Sequence, residues 1–296
     1  MNTSHPNSPP NPSVINQKIA RFYDECTSVW ERAWSEHIHQ GYYGLEGDEQ
    51  KDHLQAQLDL IEAMLSFAEI DTAEENQMSL LDVGCGVGGT LYYLADRFQG
   101  ALTGVTLSSS QAERAQELAA ERGVSDRARV LVGDALDAQL SFAPHDVVMS
   151  IEVCEHVTDK ATLFQRKFEA TRPGGVMVMS TFCHRELEGS PLSDEERSLL
   201  MRFYKAYHLP YVESLSDYAR HAEAAGYIEV RTADWTVATA PFLGAIMRSM
   251  IRPKTMRHIV TSGALMRQGA AGLRAVIKAR DIGLLRFGAL TARRPV

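Results

Sequence analysis

Cysteine is scarce in this 296-residue chain, and the four residues present form no pattern. Cys26, Cys85, Cys154 and Cys183 stand far apart with no CxxC pair, which argues against a disulfide framework and against a zinc ribbon. No apolar run approaches the ~18 residues of a spanning helix. No charged start followed by an apolar core resembles an export signal. A cytoplasmic protein in a reducing compartment is therefore expected. Basic residues are not in excess: 30 Lys and Arg face 38 Asp and Glu, for a net charge of −8, and no nucleic-acid partner is expected. His37 and His39 alternate as metal ligands can, yet no third ligand stands at suitable spacing, so no metal is expected. No internal repeat is visible.

What is present supports a folded core: 45 % of residues are hydrophobic and 23 % charged, in one large domain or two small ones. The charge is polarised. Residues 236–296 carry eleven basic side chains against Asp281 alone, so that end could meet an anionic surface. Within it, Phe242-Leu243, Ile246-Met247 and Met250-Ile251 recur at helical spacing with Arg248 and Arg252 between. Such a helix suits a lid packed on the protein, or a membrane interface with its arginines at the headgroups.

Residues 1–13, with four prolines among Asn and Ser, predict a disordered tail. Residues 14–78 read as a helical cap: Ile15, Ile19, Phe22 and Tyr23 recur at helical spacing, and Leu54–Phe67 places Leu54, Leu58, Ile61 and Leu65 on one face. Trp30, Trp34, Tyr42 and Tyr43 read as core first and pocket wall second. The centre of the chain is Ser79–Thr90. Apolar Leu80, Leu81 and Val83 predict a buried strand, and Gly84, Gly86, Gly88 and Gly89 a tight turn into a helix over Thr90–Arg97. Glycine there lets the backbone approach a ligand closely. Strands follow at Ala101–Leu107, Ala128–Val132, His145–Ser150, Val176–Phe182, Tyr227–Trp235 and Leu285–Arg293, with helices at Ser109–Arg122 and Lys160–Thr171. The alternation predicts an α/β fold: a doubly wound, mostly parallel, seven-stranded Rossmann-like sheet spanning 79–296. Insertions at 186–215 and 237–281 would form its lid.

A glycine loop of this kind serves dinucleotides and methyl donors alike. Dinucleotide folds place an acid about 20 residues after the loop to hold the ribose. Here the second strand ends Gly104-Val105-Thr106-Leu107-Ser108, without one. Asp134 ends the third strand, where a carboxylate can take an adenine amino group and Leu136 can cover the ring. That order favours S-adenosyl-L-methionine and leaves an NAD-dependent dehydrogenase as the distant alternative. A non-catalytic lipid-binding module would leave these motifs unexplained.

In sequence, DVGCGVGG, GVTLSSSQAERA, GDAL, SIEVCEHVTDK, RPGG and STFCHRE resemble the class I S-adenosylmethionine-dependent methyltransferases. FYDE, WERAW and HIHQGYYG before them, HLPYVESLSDY and ADWT after them, and IGLLRFGALTARRP at the end are most similar to the γ-tocopherol methyltransferase family. The resemblance implies that Asp82, Gly84, Gly86 and Gly88 surround the methionine portion of the cofactor. It puts Thr106, Leu107 and Gln111 at the ribose, Asp134, Ala135 and Leu136 at adenine, Tyr23 over the carboxylate and Glu152 in the same cleft. His156 would remove the acceptor's proton, with Glu155 orienting it or serving as the base, and His184 on the same rim. The alternative for His156 is a helix cap. The implied reaction is C-methylation of a small hydrophobic acceptor, a prenylated aromatic of tocopherol or quinol type. An isoprenoid alkene, needing a carboxylate such as Glu152 or Glu155 to quench a carbocation, and an alkaloid-like amine, needing almost no base, are the alternatives.

Overall fold

The structure, a computed structural model, describes residues 16–17, 19–21, 23–24, 27, 31, 35–71, 77–137, 140, 143–250 and 263–296. The expected tail at 1–13, the cap residues Phe22, Trp30 and Trp34, and Ile251 and Arg252 of the basic amphipathic run lie outside the described residues. So do the side chains of Ile246, Met247 and Met250.

The first complete helix, α1 (His53–Phe67), starts where Asp52 accepts a hydrogen bond from the Gln55 N–H at 2.9 Å, a side-chain N-cap. It buries Ala56, Gln57, Leu60, Ile61, Met64 and Leu65. Leu54, expected on that face, is 41 % exposed, because the buried stripe runs one position away from it.

Seven strands form one sheet among the described residues: β1 (Leu80–Val83), β2 (Leu102–Thr106), β3 (Ala128–Val132), β4 (His145–Ile151), β5 (Thr171–His184), β6 (Ile228–Asp234) and β7 (Leu285–Arg293). Their order is β3-β2-β1-β4-β5-β7-β6. The first five pair in parallel, and β7 runs antiparallel to both β5 and β6. The chain winds outward from β1 to β3, then returns to β4 beside β1. The crevice at the carboxyl ends of β1 and β4 is therefore the topological switch point, where open α/β sheets bind ligands. Side chains alternate across the sheet: Leu80 joins one core layer with Leu60, Met64 and Leu91, and Leu81 joins the other with Val148, Phe164 and Tyr218.

The helices between the strands are α2 (Gly89–Tyr93), α3 (Ser109–Glu121), α4 (Lys160–Ala170) and α6 (Leu215–Ala225), with α5 (Asp194–Tyr207), α7 (Thr236–Met250) and α8 (Gly263–Asp281) in the two insertions. Two lengths differ from the sequence reading. α2 stops at Tyr93 rather than Arg97, because the Arg127 guanidinium takes the Ala95 and Phe98 carbonyls, each at 2.6 Å. β5 begins at Thr171 rather than Val176, because Thr171 pairs with His145 across a bulge. α5 and α8 press together closely at Gly272, where a Cβ would lie 2.3 Å from the Ala206 Cβ. No helix among the described residues is long and apolar enough to cross a membrane.

Candidate active site

Three glycines shape the loop after β1. Gly84, Gly86 and Gly88 adopt φ of +80°, +55° and +84°, the left-handed region that side chains resist. A Cβ on Gly84 would strike the Val153 Cγ2 at 2.3 Å, whereas one on Gly86 would find nothing closer than the Gln111 Nε2 at 3.8 Å. Gly86 thus presents bare backbone to open space. That space is a cleft of about 710 Å³, counting the part open to solvent, at the switch point of the sheet.

The cleft wall brings together Tyr23, Gly84, Gly86, Thr106, Leu107, Gln111, Asp134, Ala135, Leu136, Glu152 and His156. Thr106 donates to the Gln111 Oε1 at 2.7 Å, which leaves the Gln111 amide N–H₂ as a donor beside the loop. Asp134 accepts the Leu136 N–H through Oδ1 at 2.9 Å and the Asn16 amide through Oδ2 at 2.5 Å. A carboxylate that accepts an amide N–H₂ is equally suited to an exocyclic amino group. A cradle without Cβ, a neutral amide donor and a carboxylate fit the methionine, ribose and adenine portions of S-adenosyl-L-methionine respectively.

Four expected residues are not on that wall. Asp82 points to the buried side of β1, where burial pushes its carboxyl up to about 7 against the opposing pull of Lys167. The place of a Gly88 side chain is taken by Tyr92, 2.4 Å from its would-be Cβ. Glu155 is buried and accepts the Thr181 hydroxyl at 2.6 Å. His184 turns its Nδ1 to the Arg185 carbonyl at 2.7 Å.

The two wall residues with proton chemistry shift in opposite directions, and burial favours the neutral form of each. Burial lowers His156 to about 4, with help from Lys160 and His208, so its ring is neutral at physiological pH. Its Nε2 lies 3.2 Å from the Tyr23 hydroxyl, and its buried Nδ1 has no hydrogen-bond partner among the described residues. Lys160 braces this loop by donating to the Val157 and Tyr211 carbonyls at 2.9 and 3.1 Å. Glu152 behaves oppositely: burial and the neighbouring Glu155 raise it to about 8. Its backbone sits at φ +55°, a strained conformation for a non-glycine residue. Its Oε1 accepts the Gln40 N–H at 2.5 Å, and Oε2 makes no hydrogen bond among the described residues.

Sequence reasoning missed several residues of this site. Ser108 caps α3 and donates to Asp24 at 2.5 Å, binding the N-terminal segment to the cleft rim. Burial alone would raise Asp24, but hydrogen bonds from Ser108 and Ser110 outweigh it and lower the carboxyl. The cap signal of a serine before a helix was available for Ser108. Nothing local marks Asn16, Asp24 or Gln40, whose roles come from partners more than 80 residues away. His37 and His39 sit with ring centroids 5.5 Å apart, lowered by burial to about 3 and about 4. His37 packs in the cap against Gly89 and Tyr93, His39 turns its Nδ1 to the Gln40 carbonyl at 2.8 Å, and no group of three or more candidate metal ligands occurs among the described residues.

The family model described as mycolic acid cyclopropane synthetase matches residues 19–236. The chain is 39 % identical to the probable chloroplastic tocopherol O-methyltransferase of Oryza sativa subsp. japonica, covering 96 % of this chain and 80 % of that protein. It is 32 % identical to the 2-methyl-6-phytyl-1,4-hydroquinone methyltransferase of Synechocystis sp., over 94 % and 88 % of the two chains. It is also 30 % identical to norajmaline N-methyltransferase of Rauvolfia serpentina, over 94 % and 98 %.

Proposed function

The chain belongs to the class I S-adenosyl-L-methionine-dependent methyltransferases, in the family that includes the tocopherol methyltransferases, and from that premise we propose that it C-methylates a hydrophobic, prenylated aromatic acceptor of tocopherol or quinol type. The observation that supports this acceptor class is the 39 % identity, over 96 % of this chain, to a probable tocopherol O-methyltransferase, against 30 % to an N-methyltransferase; the choice of a ring carbon rests on phenol chemistry.

Bound S-adenosyl-L-methionine supplies a methyl group on a sulfonium, already activated for in-line displacement. The protein's part is to hold that cofactor and to prepare the acceptor. Gly86 admits close backbone approach, Asp134 accepts from the adenine amino group, and Gln111 donates beside the loop. A phenol becomes nucleophilic at its ortho carbon when its hydroxyl proton leaves, and magnitudes choose the base. A phenolic hydroxyl titrates near 10. His156, at about 4, lies too far below it, whereas Glu152, at about 8, is the closer match. A cation in the cleft also favours the ionised form of Glu152. Glu152 is therefore the base in this reading. His156, neutral and bonded to Tyr23, fastens the N-terminal segment over the cleft.

Peripheral contact with an anionic membrane would deliver such an acceptor, and the basic end of the chain suits it. Part of that charge already has partners within the chain, however: Lys278 pairs with Glu195 and Arg286 with Asp234 at the surface, and Arg294 holds the Phe168 and Thr171 carbonyls. Arg248 and Arg274 are exposed.

The test is turnover of labelled cofactor with γ-tocopherol, a prenylated hydroquinone and a soluble tertiary-amine precursor, with products located by NMR. Methylation of a ring carbon on either lipid phenol is expected. Good turnover of the amine with no phenol product overturns the reading.

A further inference from the structure

The N-terminal segment crosses the cleft with one face turned into it. Asn16, Ile19 and Tyr23 are helical and stand three and four positions apart, the spacing that puts side chains on one side of a helix. All three line the cleft. Asn16 lies at the β3 end, its amide on the Asp134 Oδ2 at 2.5 Å. Tyr23 lies at the β4 end, its hydroxyl 3.2 Å from the His156 Nε2, and Ile19 between them is buried.

The Asn16 carboxamide has hydrogen-bonding capacity to spare at this point. An asparagine side chain offers two N–H donors and a carbonyl oxygen with two lone pairs. One donor is engaged by Asp134, and the Oδ1 makes no hydrogen bond among the described residues. The other Asp134 oxygen turns back to the Leu136 N–H of its own turn, so the oxygen that Asn16 touches is the one left for a ligand. Adenine brings a primary amino group with two N–H donors. If Asp134 accepts one of them, the second needs an acceptor too, since a buried donor left unpaired is costly.

Asn16 could yield its place to that amino group or stay and share it. The other attachments of the segment favour staying. Asp24 accepts the Ser108 and Ser110 hydroxyls at 2.5 and 2.8 Å, and Arg114 of α3 donates to Glu31 at 3.0 Å. None of these bonds has to break when adenine arrives, and a carboxylate oxygen can accept two donors at once.

We propose that Asn16 determines specificity for the cofactor's base, its Oδ1 accepting the second N–H of the adenine amino group while Asp134 accepts the first. The assignment rests on the placement of adenine at Asp134 and is independent of the acceptor. Asp134 alone would serve any amine with one N–H. The pair selects a primary amine, because an N-methyl group would leave the carboxylate, the stronger acceptor, its bond and press against the Asn16 carbonyl.

The experiment is calorimetric binding of three ligands to the wild type and to Asn16→Ala. They are S-adenosylhomocysteine, its analogue methylated once on the adenine amino group, and its purine analogue without that group. The wild type should prefer S-adenosylhomocysteine over each analogue by about tenfold or more. In Asn16→Ala, S-adenosylhomocysteine should bind about two- to tenfold more weakly, the size of one hydrogen bond. The methylated analogue should then come within about twofold of it, while a preference over the purine analogue persists through Asp134. Discrimination against the methylated analogue that survives in Asn16→Ala overturns the assignment, and so does a wild type that accepts that analogue fully. Tighter binding of S-adenosylhomocysteine by Asn16→Ala also overturns it, and shows that Asn16 competes for Asp134. A wild type that binds the purine analogue as tightly as S-adenosylhomocysteine overturns the placement of adenine at Asp134 together with the role of Asn16.

Discussion

The two halves of the site are built differently. The cofactor half is made by short contiguous stretches at the ends of successive parallel strands: the Gly84–Gly88 loop after β1, Thr106 to Gln111 after β2, and Asp134 to Leu136 after β3. The side proposed for the acceptor centres on Glu152 after β4, whose carboxylate is held by the Gln40 N–H from ahead of α1. The first half follows from the sheet, because any chain wound in this order places those strand ends together. The second depends on how the segment ahead of α1 packs against the end of β4. The names of three relatives, a tocopherol O-methyltransferase, a 2-methyl-6-phytyl-1,4-hydroquinone methyltransferase and a norajmaline N-methyltransferase, differ in the acceptor and agree in the methyl group moved.

That division can be broken experimentally, and the largest effect should come from Glu152. Glu152→Gln should lower kcat for a phenolic acceptor by about 100-fold or more, the scale of a lost general base, while S-adenosylhomocysteine binds as before. A similar loss of cofactor affinity would show that the halves are not separable. Next comes Gly84→Ala, which strains a φ of +80° and drives a methyl into Val153. It should weaken S-adenosylhomocysteine binding by about tenfold or more, in line with ~1–3 kcal/mol of backbone strain.

The pH profile sharpens the comparison further. The base must be unprotonated, and Glu152 is raised to about 8, so the rate with a phenol should climb with pH up to that region. His156, lowered to about 4, is already neutral there and should contribute no limb near neutrality. Rate measurements on His156→Gln should keep the rise, and a profile that flattened in this variant would return the base to His156. The smallest effect should follow Tyr23→Phe, which removes one hydrogen bond between the N-terminal segment and the cleft wall. About a two- to tenfold rise in KM for the cofactor is expected, with kcat for the acceptor little changed.

Legibility in the sequence followed the same boundary. Pattern located all seven strands: the central ones are buried on both faces and leave near-continuous apolar runs such as Val147–Met149, while the exposed edge strands β3 and β6 were legible from their place in the alternation. The glycine loop and Asp134 were readable because each side chain, or its absence, acts within a few residues of its own strand. The catalytic reading of Glu155 and His184 did not carry over to the cleft wall. Adjacent residues after a strand point in different directions, and only the turn at Cys154–His156 decides that His156 faces the cleft while Glu155 faces Thr181. Sequence places Glu152 in the cleft beside the cofactor and offers it as a carboxylate for an alkene acceptor, but its proton affinity comes from burial beside Glu155 and cannot be read from residue type.

By itself the sequence determined the sheet, its switch point and the cofactor, because local periodicity and strand-end residues suffice for all three. Only the tertiary structure decided what faces the acceptor. The raised proton affinity of Glu152 arises where segments distant in sequence exclude water together, and residue type alone does not record that meeting.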